Sequence, residues 1–353
     1  MTQEAGGATY AAAGVSLDAG DEAVRRILPM LRRTHNASVL SDIGGFGGLF
    51  ELPAGYERPV LVSSTDGVGT KLEVARLADR WDTVGLDLVA MVVDDLVCCG
   101  ATPLFFLDYL AVGRLDPDRV EQLMAGLVAG CEQAGCALVG GEMAEHPGTM
   151  EPDALDVAGF AVGVVERDRL ITGESVRPGD SLVGLVSPGL RSNGFSLARA
   201  VLIAPDDPAG SLAAPAYGDV ADGPSVADEL LCPSVIYAPA VAAMLGESRV
   251  HALAHITGGG LVGNLPRVMP PDTAARLDPK AWERPPIVSE IARRGSVAED
   301  ELRRVFNLGI GMVVVTPDPD AAIAAARSVG TDAALVGEVT AEPGEAHVTF
   351  VGD

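Results

Sequence analysis

Apolar positions along this chain switch between two periods. Short continuous or alternating runs, which read as strands, are followed by segments with three-to-four spacing, which read as helix faces. In the first half, Val24, Ile27, Leu28 and Leu31 share one face of a helix that Asp18 or Asp21 could cap. A glycine-rich loop, Gly44-Gly45-Phe46-Gly47-Gly48, comes next. A strand is expected at 60–65, a glycine turn at 66–71, and a short helix carrying Leu72, Val74, Ala75 and Leu77. Then follow a helix at 85–99, a strand at 104–112, a helix at 117–134 and strands at 137–139 and 157–165. Arg177-Pro178-Gly179-Asp180 is a turn signal, so the domain boundary is placed near 170–178, giving domains 1–170 and 171–353. The second half alternates again: strand 181–186, helices 194–203 and 233–245, strands 250–256 and 310–315, helix 319–328 and strand 335–340. Residues 204–228, rich in Pro, Gly, Ala and Asp, are expected as a surface excursion. The alternation predicts a two-domain α/β protein.

Composition narrows the partners. The chain has 353 residues, 48% of them hydrophobic, which is enough for two cores. A formal charge of −24 disfavours nucleic acid and anionic membrane surfaces, while leaving a small anionic substrate open. Asp87, Asp94, Asp95 and Asp108 interrupt the longest apolar runs, so no membrane span is expected. Met1 to Tyr10 has neither a basic nor an apolar leader region, so no signal peptide is expected. Five cysteines, Cys98, Cys99, Cys131, Cys136 and Cys232, lack zinc-ribbon spacing and fit reduced thiols in a cytoplasmic protein.

The richest chemistry lies in Asp66-Gly67-Val68-Gly69-Thr70-Lys71. A glycine turn between a strand and a helix start brings backbone N–H groups and the positive helix end to an anion. Lys71 can meet phosphate, and Asp66 can hold the magnesium that accompanies a nucleotide. On the 85–99 helix, Asp87 and Asp94 lie about 20° apart and opposite the apolar residues, as on a solvated face. Asp95 borders the apolar stripe, where a carboxylate needs a partner or a cation. Glu142, after Gly140-Gly141, suits either a ligand crevice or a surface cap. Ser187 to Gly194 follows a strand and opens a helix; with Arg191, Ser192 and Asn193 it is a second candidate anion nest, although Ser-Asn-Gly is also a common turn and helix start. Gly258, Gly260 and Gly263 fit G-x-G-x-x-G with Asp278 further on, but Pro266 shortens the following helix, which weakens a dinucleotide reading. His251 and His255 share one face of a strand and read as structural histidines.

Seven segments occur in one order: DGVGTK (66–71), GLDLVAMVVDDL (85–96), PLFFLDY (103–109), GGEMAEHP (140–147), SNGF (192–195), TGGG (257–260) and FNLGIGM (306–312). Together with 10–15 and the Gly44–Gly48 loop, they closely resemble the phosphoribosylformylglycinamidine cyclo-ligase (aminoimidazole ribonucleotide synthetase) family over nearly the whole chain. The resemblance implies a two-domain ATP-binding α/β fold of α+β type, and a homodimer whose N-terminal sheets pair. It implies ATP and Mg2+ as cofactors and formylglycinamidine ribonucleotide as substrate, with the formyl oxygen phosphorylated before ring closure in de novo purine synthesis. It implies catalytic roles for Lys71, Arg191 and Asn193. It assigns ATP or substrate contacts to Asp66, Gly67, Gly69, Thr70, Lys71, Gly141, Glu142, Ser192, Gly194, Thr257, Gly258, Gly259 and Gly260. It implies metal contacts for Asp66, Asp95, Glu142 and Asp94. Alternatives are a non-catalytic nucleotide-binding paralogue, or another ATP-dependent kinase or synthetase of the same superfold.

Two positions depart from the family pattern. Arg191 stands where the family usually has histidine before Ser-Asn-Gly, and Asp94 stands where it usually has asparagine before Asp-Leu. Arginine holds phosphate but does not exchange protons near pH 7 as histidine does. Asp94 adds negative charge beside the expected metal. Replacing Arg191 by histidine is expected to leave activity equal or higher.

Overall fold

The computed structural model describes residues 9–218 and 223–352. Residues 1–8, most of the stretch read for a signal peptide, and positions 219–222 of the 204–228 excursion lie outside them. The first half contains helix α1 (Leu17–Leu31), strand β1 (Pro59–Gly67), helices α2 (Lys71–Ala78) and α3 (Val84–Cys98), strand β2 (Thr102–Val112), helix α4 (Pro117–Ala134) and strands β3 (Ala137–Glu145) and β4 (Leu155–Glu166). Helix α1 is capped by Ser16, ahead of both Asp18 and Asp21, because Ser16 Oγ accepts from the Ala19 N–H at 3.2 Å. Helix α4 has the boundaries read from the sequence: Asp116 caps it, Pro117 opens it, and Gly135 closes it in the left-handed region.

The four strands form a sheet in the order β1-β4-β2-β3, antiparallel except for the β2–β3 pair. Helix α3 carries most of the core between this sheet and α4, burying Leu88, Val89, Val92, Val93 and Leu96. The two helices touch backbone to backbone: a Cβ at Gly85 would lie 2.1 Å from the Leu123 carbonyl oxygen. Two strands run further than their apolar cores suggest. β1 continues through Asp66 and Gly67, so the turn is confined to Val68-Gly69-Thr70. β3 continues through Gly140-Gly141-Glu142 because it pairs with β2 along its whole length, Asp108 opposite Gly141 and Tyr109 opposite Glu142.

The second half contains β5 (Ser181–Val186), α5 (Phe195–Leu202), α6 (Pro208–Ala213), α7 (Val226–Leu230), α8 (Ala238–Glu247), β6 (Ala252–His255), α9 (Gly260–Asn264), β7 (Thr273–Leu277), α10 (Pro286–Gly295), α11 (Glu299–Val305), β8 (Ile310–Thr316), α12 (Pro319–Ser328), β9 (Ala333–Ala341) and β10 (His347–Phe350). Its sheet runs β10-β7-β9-β5-β8-β6, parallel only between β10 and β7. Every residue of β8 is buried, which is why that strand reads as a continuous apolar run. Strands β7 and β10 and helices α10 and α11 were not legible; both strands are short and lack strong alternation. Residues 233–237 are not the first turn of α8, and they line the boundary between the two halves. Both sheets are mixed and helix-covered, an α/β fold of α+β type.

Candidate active site

The C-terminal end of α3 meets the end of strand β6 of the second half at Asp95. Its Oδ1 accepts from His255 Nδ1 at 2.8 Å, and its Oδ2 accepts from Ser64 Oγ at 3.1 Å. Burial opposes the Asp95 charge, but the hydrogen bonds from His255 and Ser64, with the field of Arg267, hold its pKa below the ordinary carboxylate range. Asp66 lies close by at the end of β1 and accepts from the Gly67 N–H at 2.7 Å. Burial raises its pKa, the Gly67 N–H opposes this, and the nearby Asp95 charge adds to the rise. Asp66 and Asp95 thus repel one another across a half-exposed cleft, a donor set that suits a divalent cation.

Lys71, expected to face phosphate, is fully buried at the first position of α2. Its ammonium lies 2.6 Å from Asp87 and donates to the carbonyl oxygens of Cys232 at 2.8 Å and Arg191 at 3.2 Å. Asp87, expected on a solvated face, is also fully buried and accepts from the Ser234 N–H and hydroxyl. The same correction applies to Asp94, whose carboxylate lies 2.6 Å from Arg191 Nη2 and accepts from the Tyr237 N–H at 2.9 Å. Arg191 also donates to the Val235 carbonyl at 2.8 Å and stacks on the Tyr237 ring at 4.8 Å. Burial raises the Asp94 pKa against the pull of Arg191, but a guanidinium keeps its proton, so the contact is an ion pair near pH 7. The two departures from the family pattern are therefore partners of each other. Helix α3 has no solvated face here because the second half packs over it.

The remaining loops sit around the cleft. Arg191 has φ 60° and Gly194 φ 77°, a left-handed kink that starts α5. The Ser192 hydroxyl is buried with no hydrogen-bond partner, leaving a donor for a ligand. The Asn193 side chain lies beside Gly258, whose added Cβ would sit 3.5 Å from Asn193 Oδ1. Thr257 donates its N–H to Asn264 Oδ1 at 3.0 Å, which ties the Thr257–Gly260 loop to α9. Gly260 has φ 60°, and a Cβ there would lie 2.1 Å from the Arg303 carbonyl oxygen. Helix α9 has only five residues, so it does not form the long helix of a dinucleotide fold. Thr70 Oγ1 reaches Ser196 Oγ at 3.3 Å across the same boundary.

Gly141 and Glu142 do not join Asp66 and Asp95. They line a cavity of about 570 Å³ between β3, α1 and the Gly44–Gly48 loop, with Asp108 in its wall. The strand register places Asp66, Gly159, Asp108 and Gly141 side by side across the sheet, so Asp66 and Asp108 are two strand spacings apart, about 10 Å. A Cβ at Gly141 would lie 2.2 Å from Asp108 Oδ1, so packing is enough to require this glycine. Among the described residues no group of three or more His, Cys, Asp or Glu side chains is arranged to hold a metal ion. The expected four-carboxylate set is not assembled: Asp94 is committed to Arg191, and Glu142 points from the exposed side of β3.

Burial pushes the Asp108 carboxyl up to about 7. The folded state then holds a proton that the unfolded chain releases above about pH 4, so stability falls as pH rises through the window from about 4 to 7, by up to about 1.4 kcal/mol per unit. Replacing Asp108 with asparagine removes this loss. Urea unfolding at a series of pH values should show the variant gaining on the natural protein from pH 4 to 7 and the difference then levelling. A constant difference across that window would refute the assignment.

Comparison with known proteins adds to this geometry. Residues 51–165 match the AIR synthase related protein N-terminal domain, and residues 177–349 match the corresponding C-terminal domain. The phosphoribosylformylglycinamidine cyclo-ligase of Myxococcus xanthus is 53% identical over 96% of this chain and 98% of its own. That of Symbiobacterium thermophilum is 52% identical over 99% of each. The chain belongs to the phosphoribosylformylglycinamidine cyclo-ligase family. More distant structures share the fold of this family. Thiamine-monophosphate kinase from Stenotrophomonas maltophilia superposes with a TM-score of 0.65 at 21% identity, over 93% of this chain and 95% of that one. Hydrogenase maturation protein HypE, in a structure with ATP, gives 0.63 at 19% identity over 96% and 93%. Around Asp95, sequence pattern passed over Ser64 and Arg267 and read His255 as structural, and it read Asp87, the buried partner of Lys71, as solvated. His255 alone carried a usable signal, as a polar residue at the end of an apolar strand directly before the Thr257–Gly260 loop.

Proposed function

We propose that this protein is the ATP-dependent cyclo-ligase that closes formylglycinamidine ribonucleotide to 5-aminoimidazole ribonucleotide in de novo purine biosynthesis. The observation that carries the reading is Asp95, held from both halves of a chain that is 53% identical to a cyclo-ligase over nearly its whole length. ATP phosphorylates the formyl oxygen, the amidine nitrogen attacks the activated carbon and loses its proton, and phosphate leaves. An amide oxygen leaves poorly until it is phosphorylated, so the protein mainly positions two substrates and offsets phosphate charge. Ser192, Asn193 and the N–H groups of the Thr257–Gly260 loop bind and orient. Asp66 and Asp95 are the residues that would hold Mg2+, which when bound neutralises charge on the phosphates. Lys71 and Arg191 act from behind the cleft, Lys71 by gripping the Arg191 carbonyl that begins the Ser192–Gly194 loop.

The non-catalytic alternative drew its motive from Arg191 and Asp94, and their mutual pairing supplies a structural reason for both. Incubation with ATP, Mg2+ and formylglycinamidine ribonucleotide should yield aminoimidazole ribonucleotide, ADP and phosphate in equal amounts. Nucleotide binding without ring closure would overturn the reading.

The division into residues 1–170 and 171–353 is supported by the two sheets and by the gap between the two family matches. A homodimer is supported by the first sheet's outer face. Leu61 on β1, Phe160 on β4 and Tyr109 on β2 are 62%, 38% and 43% exposed there. A second copy covering this face would pair the sheets of the two chains. Light scattering after size exclusion should give twice the chain mass, and Leu61→Lys together with Phe160→Lys should return it to one. A natural protein of single-chain mass contradicts the dimer. A cytoplasmic location agrees with five free thiols, and among the described residues no helix is long and apolar enough to cross a membrane.

A further inference from the structure

Two consecutive carboxylates of α3, Asp94 and Asp95, are joined by a closed chain of contacts through the second half. Asp94 Oδ2 lies 2.6 Å from Arg191 Nη2, the same nitrogen lies 3.0 Å from His255 Nε2, and His255 Nδ1 lies 2.8 Å from Asp95 Oδ1. Arg191 is 1% exposed and His255 7%, so water does not compete for the contacts between Asp94, Arg191 and His255. A guanidinium has no acceptor, so it must donate to Nε2. The proton of the imidazole then sits on Nδ1 and is donated to Asp95.

We propose that Arg191 and His255 are positioning residues for Asp95. Arg191 fixes the tautomer and plane of His255, and His255 holds the Asp95 carboxylate by a neutral donor that leaves its full negative charge for a cation. Asp94 serves this arrangement by balancing the buried guanidinium and aiming its second N–H at the imidazole. The proposal rests on the reading of Asp95 as a cation-holding carboxylate. It adds a reason for the paired departures at 94 and 191: a charged pair at the domain boundary orients the histidine that orients the ligand. Removing an outer partner of this kind costs a metal site about 10–100-fold in affinity.

The test uses Mn2+ as the probe, with the free ion followed by electron paramagnetic resonance, with and without a non-hydrolysable ATP analogue. His255→Ala should weaken Mn2+ binding about tenfold or more. His255→Asn, whose amide N–H can replace Nδ1–H, should stay within about threefold of the natural protein. The double variant Asp94→Asn with Arg191→Met removes both buried charges together and should weaken binding to a similar extent as His255→Ala. Far-ultraviolet circular dichroism checks that each variant is folded. Unchanged Mn2+ affinity in His255→Ala overturns the proposal, as does equal weakening in the alanine and asparagine variants. A double variant that melts earlier but binds Mn2+ normally reduces Arg191 to a structural role and overturns its part. If the natural protein does not bind Mn2+, the cation reading of Asp95 falls together with this proposal, whereas normal binding in the variants removes only the positioning role.

Discussion

Lys71→Met lowers the unfolding free energy by about 3–5 kcal/mol, the usual cost of removing one partner of a buried ion pair. The substitution leaves Asp87 fully buried with only the Ser234 donors, and it frees the carbonyl oxygens of Arg191 and Cys232. Methionine fills much of the space, so packing against Phe195, whose ring centroid lies 5.5 Å from the ammonium, is largely kept. Charge loss therefore dominates. Urea unfolding followed by circular dichroism measures the change. Adding Asp87→Asn should recover a large part of it, because the orphaned charge is then gone. A lysine that faced phosphate would behave otherwise: the KM for ATP would rise while stability hardly moved. That outcome would return Lys71 to the ligand.

Arg191→His should be destabilising by a similar amount, about 3–5 kcal/mol. The family resemblance alone suggests the opposite, because histidine is the residue usually found there. The buried geometry reverses that expectation. A neutral imidazole would leave Asp94 uncompensated, and the Val235 carbonyl and His255 Nε2 would lose their donor. The exchange is tolerable only with its partner: Asp94→Asn combined with Arg191→His should regain most of the loss. The two single variants and the double variant form a cycle whose coupling should exceed about 2 kcal/mol, within the range for residues in one buried network. Additive losses would show that the two positions are independent and would sink the paired interpretation. Turnover should follow stability, with the single variants impaired and the double variant closer to the natural protein.

Much of the fold was legible. Helix α4 announces itself through Asp116, Pro117 and Gly135, since caps are local chemistry. The run from 310 to 315 reads as a strand because β8 is buried on both faces. The glycine motifs mark loops that gather at the boundary between the two halves. Their neighbours were harder. Asp87 and Asp94 follow a solvated pattern on α3, yet a second unit packs over them, and helical periodicity carries no information about what arrives from elsewhere in the chain. His255 looked structural for the same reason, because its partner Asp95 is 160 residues away. β3 was read too short because Gly140-Gly141 resembles a turn. Here the glycine makes room for the Asp108 carboxylate of the next strand.

The sequence by itself determined most of the elements, the glycine turns and the family, because capping, periodicity and motif order are written in neighbouring residues. Tertiary structure decided the state of the charges. Lys71 and Arg191 became buried partners of Asp87 and Asp94, while Asp95 stayed half-exposed toward the cleft. The physical reason is desolvation: a charge buried between two packed units must find its opposite there, and which opposite it finds depends on how distant segments meet.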